Sequence, residues 1–202
     1  MLDIEGDFFA QADQKDNAVT NMEVFSDLHT SDWAKTAVNY LYSKGIVNGK
    51  GNGKFEPEAL VTREEFVKML LCAFGTEVKM YEMPFYDVVN GEWYHSYIAT
   101  AYSKGIVNGT SENSFGIGES ITREDMAVML DNGIKKMNYK TQEVKTSITF
   151  ADYSDISDYA KDSVSRLDKA GIVNGMGNGI YAPKEGFTRA MAAQVIYNLL
   201  VQ

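Results

Sequence analysis

The chain of 202 residues is short of several things, and each shortage removes a class of protein. Cys72 is its only cysteine, so no disulfide can form within it. Its place in an apolar stretch expected to be helical over 66–74 reads as that of a small buried hydrophobe, not a reactive thiol. Basic residues are scarce, 19 against 28 acids for a net charge of −9. That balance argues against a nucleic-acid partner, whose phosphates need a basic footprint. Six of the acids lie in residues 1–24 with only Lys15 to oppose them, leaving −4 for the rest. No apolar run is long enough to span a bilayer, so membrane insertion is not expected. The N-terminus is acidic where a secretion signal would be basic and then apolar, so the chain is cytoplasmic, or a mature form or fragment. GxGxxG, P-loop, HExxH and CxxC patterns are all missing. Asp152-Tyr153-Ser154-Asp155 lacks the glycine and terminal glutamate of a calcium loop, so neither cofactor nor metal is implied.

What the sequence has is repetition. Gly-Ile-Val-Asn-Gly stands at 45–49, 105–109 and 171–175, with intervals of 60 and 66 residues. The register extends upstream to Phe25-Ser26-Asp27, Phe85-Tyr86-Asp87 and Phe150-Ala151-Asp152, and to an aromatic twelve residues before each glycine: Trp33, Trp93 or Tyr159. Downstream it extends through Phe55, Phe115 and Tyr181 to Val61-Thr62-Arg63, Ile121-Thr122-Arg123 and Phe187-Thr188-Arg189. A unit of about fifty residues is within the range of modules that bury their apolar faces against one another. Alone, each would be marginal without disulfides or metals, so the three should share a core.

Each unit reads as helix, Gly-rich turn, helix. In the first, Asp32 is positioned to cap a helix over 33–44 with Trp33, Ala37, Tyr40 and Leu41 on one face, and Gly45 stops it in the left-handed C′ position. Ile46-Val47 reads as a short buried extended piece, with Asn48-Gly49 and Asn52-Gly53 as tight turns. Thr62-Arg63-Glu64-Glu65 is a capping box; Thr122 with Asp125 is a weaker one, and Thr188 with Met191 keeps only half of it. Core stripes follow at Phe66, Val67, Leu70, Leu71 and Phe74, at Met126, Met129 and Leu130, and at Ala192, Val195, Ile196 and Leu199.

Folding does not explain Arg63, Arg123 and Arg189. Each occupies the first turn of a helix, where the macrodipole disfavours a cation by roughly 0.3–1 kcal/mol. A repeated violation of local physics points to function. Guanidinium binds carboxylate through two parallel hydrogen bonds, and free amides at the helix start could add donors to the same anion. An internal ion pair with Asp27, Asp87 or Asp152 would account for the same residues. Trp33 and Trp93 carry the same ambiguity, an aromatic at a helix start being more often core than a platform for a sugar ring.

The FxD … W … GIVNG … F … TRE pattern resembles the S-layer homology module, three tandem copies of which anchor bacterial surface proteins to the cell wall. The resemblance divides the chain into an acidic N-terminal segment or linker (1–24) and modules at 25–75, 85–137 and 150–202. It implies a mainly α, pseudo-threefold assembly with a shared core and ligand grooves between adjacent modules. In that family the grooves hold a secondary cell-wall polysaccharide, commonly with a pyruvate ketal on N-acetylmannosamine. Carried over by position, Arg63, Arg123 and Arg189 would meet the carboxylate, backbone around Gly49, Gly109 and Gly175 would line the grooves, and Trp33, Trp93 and Tyr159 would wall them. No cofactor is implied. The location would be extracellular, at the cell wall or S-layer, with a covalently linked cargo domain outside this chain. The third unit departs most, having Met191 for the acid and Tyr159 for Trp, so its groove is expected to be altered or silent. Two rivals remain: a protein-interaction or self-assembly module, and a glycan-acting enzyme using the repeated acids Asp27, Asp87 and Asp152. Active sites are rarely triplicated, and His29 and His95 occupy non-equivalent positions.

Overall fold

The computed structural model describes residues 24–146 and 149–202; the segment over 1–24, with Phe8-Phe9 and the polar stretch 11–17, lies outside them apart from Val24. Six α-helices follow in order: α1 (Lys35–Ser43), α2 (Arg63–Ala73), α3 (His95–Ser103), α4 (Arg123–Lys136), α5 (Asp158–Lys169) and α6 (Arg189–Leu200). Extended backbone among the described residues is confined to isolated bridges, so the fold is mainly α.

The first helix of each repeat ends as its glycine demands. Gly45, Gly105 and Gly171 take φ of 70°, 68° and 69°, and the following Ile amide reaches back 2.9 Å to Leu41, Ala101 or Leu167, closing a Schellman motif. The start differs from expectation. A 3-10 turn over Leu28–Ala34, broken at Ser31, precedes α1, and neither Asp32 nor another side chain caps it. Trp33 falls off the core face, which is built from Ala34, Ala37, Val38 and Leu41. The second helices begin as read. Thr62 and Glu65 form the full capping box, while Thr122 and Thr188 each accept from the N3 amide alone.

The second glycine of the motif is not a turn residue. Asn52 and Gly53 do carry positive φ, but Gly49, Gly109 and Gly175 do not. They are required by proximity: a Cβ on Gly109 would lie 2.2 Å from the Ser114 carbonyl oxygen and 2.6 Å from the Phe85 ring. Here the FxD phenylalanine packs over the loop, its ring 5.4, 5.8 and 5.2 Å from Phe55, Phe115 and Tyr181 in the three repeats.

The repeats close on one another. Each first helix packs against the second helix of the preceding repeat: α3 on α2, α5 on α4, and α1 back on α6, where Tyr40 and Tyr197 meet edge to face at 5.2 Å. At the centre, Val61 N donates to Phe187 O (2.8 Å), Phe187 N to Ile121 O (3.0 Å) and Ile121 N to Val61 O (2.9 Å), a ring of three hydrogen bonds with no free member. The three side chains are fully buried in one continuous core shared by all repeats. Cys72 is half-buried against that core, and burial pushes its thiol pKa up, in keeping with a packing role.

Candidate functional site

The three arginines sit just after this ring, at the first helical position of α2, α4 and α6, and are only 5, 4 and 7% exposed. Each reaches into the next repeat. Arg63 Nε donates to Phe115 O (2.9 Å) and Nη2 to Asn108 O (3.1 Å). Arg123 does the same to Tyr181 O (2.6 Å) and Asn174 O (2.9 Å), and Arg189 to Phe55 O and Asn48 O (both 2.8 Å). Each guanidinium lies over the ring of that same Phe115, Tyr181 or Phe55, 5.1, 4.7 and 4.5 Å from its centroid. Burial lowers all three pKa values.

Two expectations are corrected by these partners. The repeated aspartates do not pair with the arginines. Asp27 accepts from the amides of Phe55 and Glu56, Asp87 from those of Phe115, Gly116 and Ile117, and Asp152 from those of Tyr181 and Ala182. Aspartate and arginine therefore clamp the amide and the carbonyl of one and the same residue, the first from within the repeat and the second from its neighbour. Nor do the starts of α4 and α6 offer free amides, and that of α2 has its first and third engaged. The amides of Arg63, Arg123 and Arg189 donate to Glu119, Glu185 and Ala59 carbonyls, those of Glu124 and Ala190 to Pro183 and Pro57, and the N3 amides to the capping threonines. The cation is tolerated at the helix start because neighbouring carbonyls absorb it.

What remains of each guanidinium, the Nη1 edge, faces a groove, and each groove draws on all three repeats. The first is lined by residues 46–50 and α2 residues Glu65, Lys68 and Met69, with Trp93 from the second repeat and Arg189 from the third. The second combines residues 106–110, α4, Tyr159 and Arg63 in a cavity of about 550 Å³. The third combines residues 172, 174–176, α6, Trp33 and Arg123 in about 400 Å³. Gly49, Gly109 and Gly175 each line one groove, and Trp33, Trp93 and Tyr159 stand beside them 56, 47 and 58% exposed, as walls and not core. The departures of the third repeat fall in two grooves, Tyr159 in the second and Met191 in the third.

The same repeated pattern is found in known proteins. The S-layer homology domain model matches residues 24–67, 84–127 and 149–193. The chain belongs to the S-layer homology family. This is a family of cell-wall anchoring modules that bind cell-wall polysaccharide, and the chain is 38% identical over 88% of its length to an amylopullulanase of Thermoanaerobacterium thermosulfurigenes. It is likewise 38% identical over 87% to exoglucanase XynX of Acetivibrio thermocellus, and 30% over 86% to S-layer protein sap of Bacillus anthracis. It spans only 10, 16 and 21% of those three relatives. No helix among the described residues is long and apolar enough to cross a membrane, and no cluster of three or more potential metal ligands occurs among them.

Sequence reading missed the receiving atoms, because the Asn48, Asn108 and Asn174 carbonyls carry no residue-type signal. It also missed Lys68, whose ammonium lies over Trp93 and Tyr97 at 5.3 and 5.7 Å. Another omission was the cluster around buried Glu124, which accepts from Ser157 N and Oγ, Tyr159 Oη and Lys184 Nζ. Those bonds, with Lys184 foremost, outweigh burial and hold its carboxyl below the usual range. The signal available for Lys68 was its place one turn beyond the capping box, on the groove face of α2.

Proposed function

We propose that the chain is a non-catalytic anchor whose inter-repeat grooves bind an anionic, pyruvylated secondary cell-wall polysaccharide, tethering a surface or S-layer protein outside the cell. The observation that carries this reading is the threefold recurrence of one arrangement: a guanidinium edge at the groove floor beside an exposed aromatic wall. A guanidinium suits a ketal carboxylate and a flat ring suits a pyranose face. The modules would run over 25–75, 85–137 and 150–202, and a covalently joined cargo is consistent with the small share of its relatives that the chain spans. A glycan-cleaving alternative would need the repeated acids Asp27, Asp87 and Asp152, whose oxygens are held by backbone amides.

Calorimetric titration with a pyruvylated N-acetylmannosamine glycoside and with its ketal-free counterpart tests this. Binding is expected for the first and not the second. Equal binding of both, or of neither, would sink the reading and bring a protein-interaction role forward.

A further inference from the structure

Building on that reading, we infer that the acidic glycan is taken by two of the three grooves, those of Arg189 and Arg123, and that Asp125 closes the Arg63 groove to it. The grooves share a backbone, and besides their aromatic walls they differ at aligned positions, three of which bear on the charge beside the guanidinium: Lys50, Thr110 and Met176; Glu65, Asp125 and Met191; Lys68, Val128 and Gln194.

In the Arg63 groove, Asp125 Oδ2 lies 3.4 Å from Arg63 Nη1, and its other oxygen shares the one Tyr159 hydroxyl proton with Glu124, at 2.8 Å against 3.1 Å. A carboxylate of the protein thus occupies the guanidinium edge that a ketal carboxylate would need, with no lysine among the lining residues to restore a positive charge. In the Arg189 groove the corresponding acid still acts on the guanidinium electrostatically, but it makes no ion pair with it. Glu65 is one methylene longer, so it reaches back to the Thr62 amide at 3.2 Å and pairs with Lys50. Arg189 makes no ion pair among the described residues, and Lys68 adds a second cation over Trp93. In the Arg123 groove the acid is replaced outright, and Nη1 meets the Met191 sulfur at 3.9 Å. Glu58 lines this groove, but it is exposed and bonded to the Ser31 hydroxyl. One methylene and one Met separate an open site from a blocked one.

Asp125→Asn and Met191→Asp test this in the intact chain. Neither touches the carbonyl bonds that the arginines make, Asn keeps an acceptor for Tyr159, and an acid in the first turn of α6 suits the helix dipole. Titrated with the pyruvylated glycoside, the unaltered protein should bind two equivalents in a ketal-dependent manner. Asp125→Asn should add a third, tighter by about tenfold than the residual affinity of that groove, the scale of one nearby unit charge. Met191→Asp should leave one. Ketal-dependent binding with any count other than two in the unaltered protein, or counts unmoved in both folded variants, overturns this assignment and leaves the anchoring reading intact. Absence of ketal-dependent binding in the unaltered protein removes both.

Discussion

Asp87 holds the start of the 115–118 loop through four donors: the amides of Phe115, Gly116 and Ile117 and the Ser114 hydroxyl. Burial pushes its pKa up, but those bonds outweigh it and bring the value down to about 2 from 3.8. A carboxyl depressed in the folded state contributes stability above its unfolded pKa and loses it as pH falls through the folded one. Urea unfolding followed by circular dichroism should therefore show stability falling between pH about 4 and about 2. Asp87→Asn should flatten that window and cost about 2 kcal/mol at neutral pH; an unchanged slope would refute this account. At this scale the sequence is half legible. The repeated aspartates and arginines announce themselves by register and by anomalous charge. Their partners do not, because backbone amides and carbonyls belong to every residue, and only the fold decides which ones stand 28 or 141 positions away.

Among the elements, the two glycines of the repeated motif look alike in sequence and do different work. No atom lies within 4 Å of where a Cβ on Gly45 would stand, so Gly45→Ala would incur only the left-handed backbone strain, about 1 kcal/mol. Gly109→Ala would drive a methyl into the Ser114 carbonyl and the Phe85 ring, at about 3 kcal/mol. Chemical denaturation of the two variants should rank them in that order, and equal losses would disprove the close-approach explanation. Helix stops and threonine caps are readable because they are settled within five residues. The second glycine reads wrongly as a turn because its constraint is a close approach from two sides, the Ser114 carbonyl of its own loop and Phe85, 24 positions upstream and folded over it.

For the whole molecule, the count of repeats and their helical character are legible, but not which repeat meets which. Three repeats of one pattern specify one interface, and only closure tells a ring from an open stack. Open arrays sum nearest-neighbour stabilities and can lose an end unit gracefully. Here removal of the third repeat would leave Val61 N without Phe187, the Phe55 and Asn48 carbonyls without Arg189, and α1 without α6. Calorimetry should show a single unfolding transition for the intact chain and no cooperative transition for one ending at residue 140. A truncated chain that melts sharply would argue for independent units.

The ring of Val61, Ile121 and Phe187 also constrains how such a chain can change over generations. Each member has one amide and one carbonyl engaged, so a duplicated fourth unit would find no vacant partner at the centre. A single added unit could enter this ring only by breaking one of its three hydrogen bonds, whereas a copy of all three units could close a ring of its own.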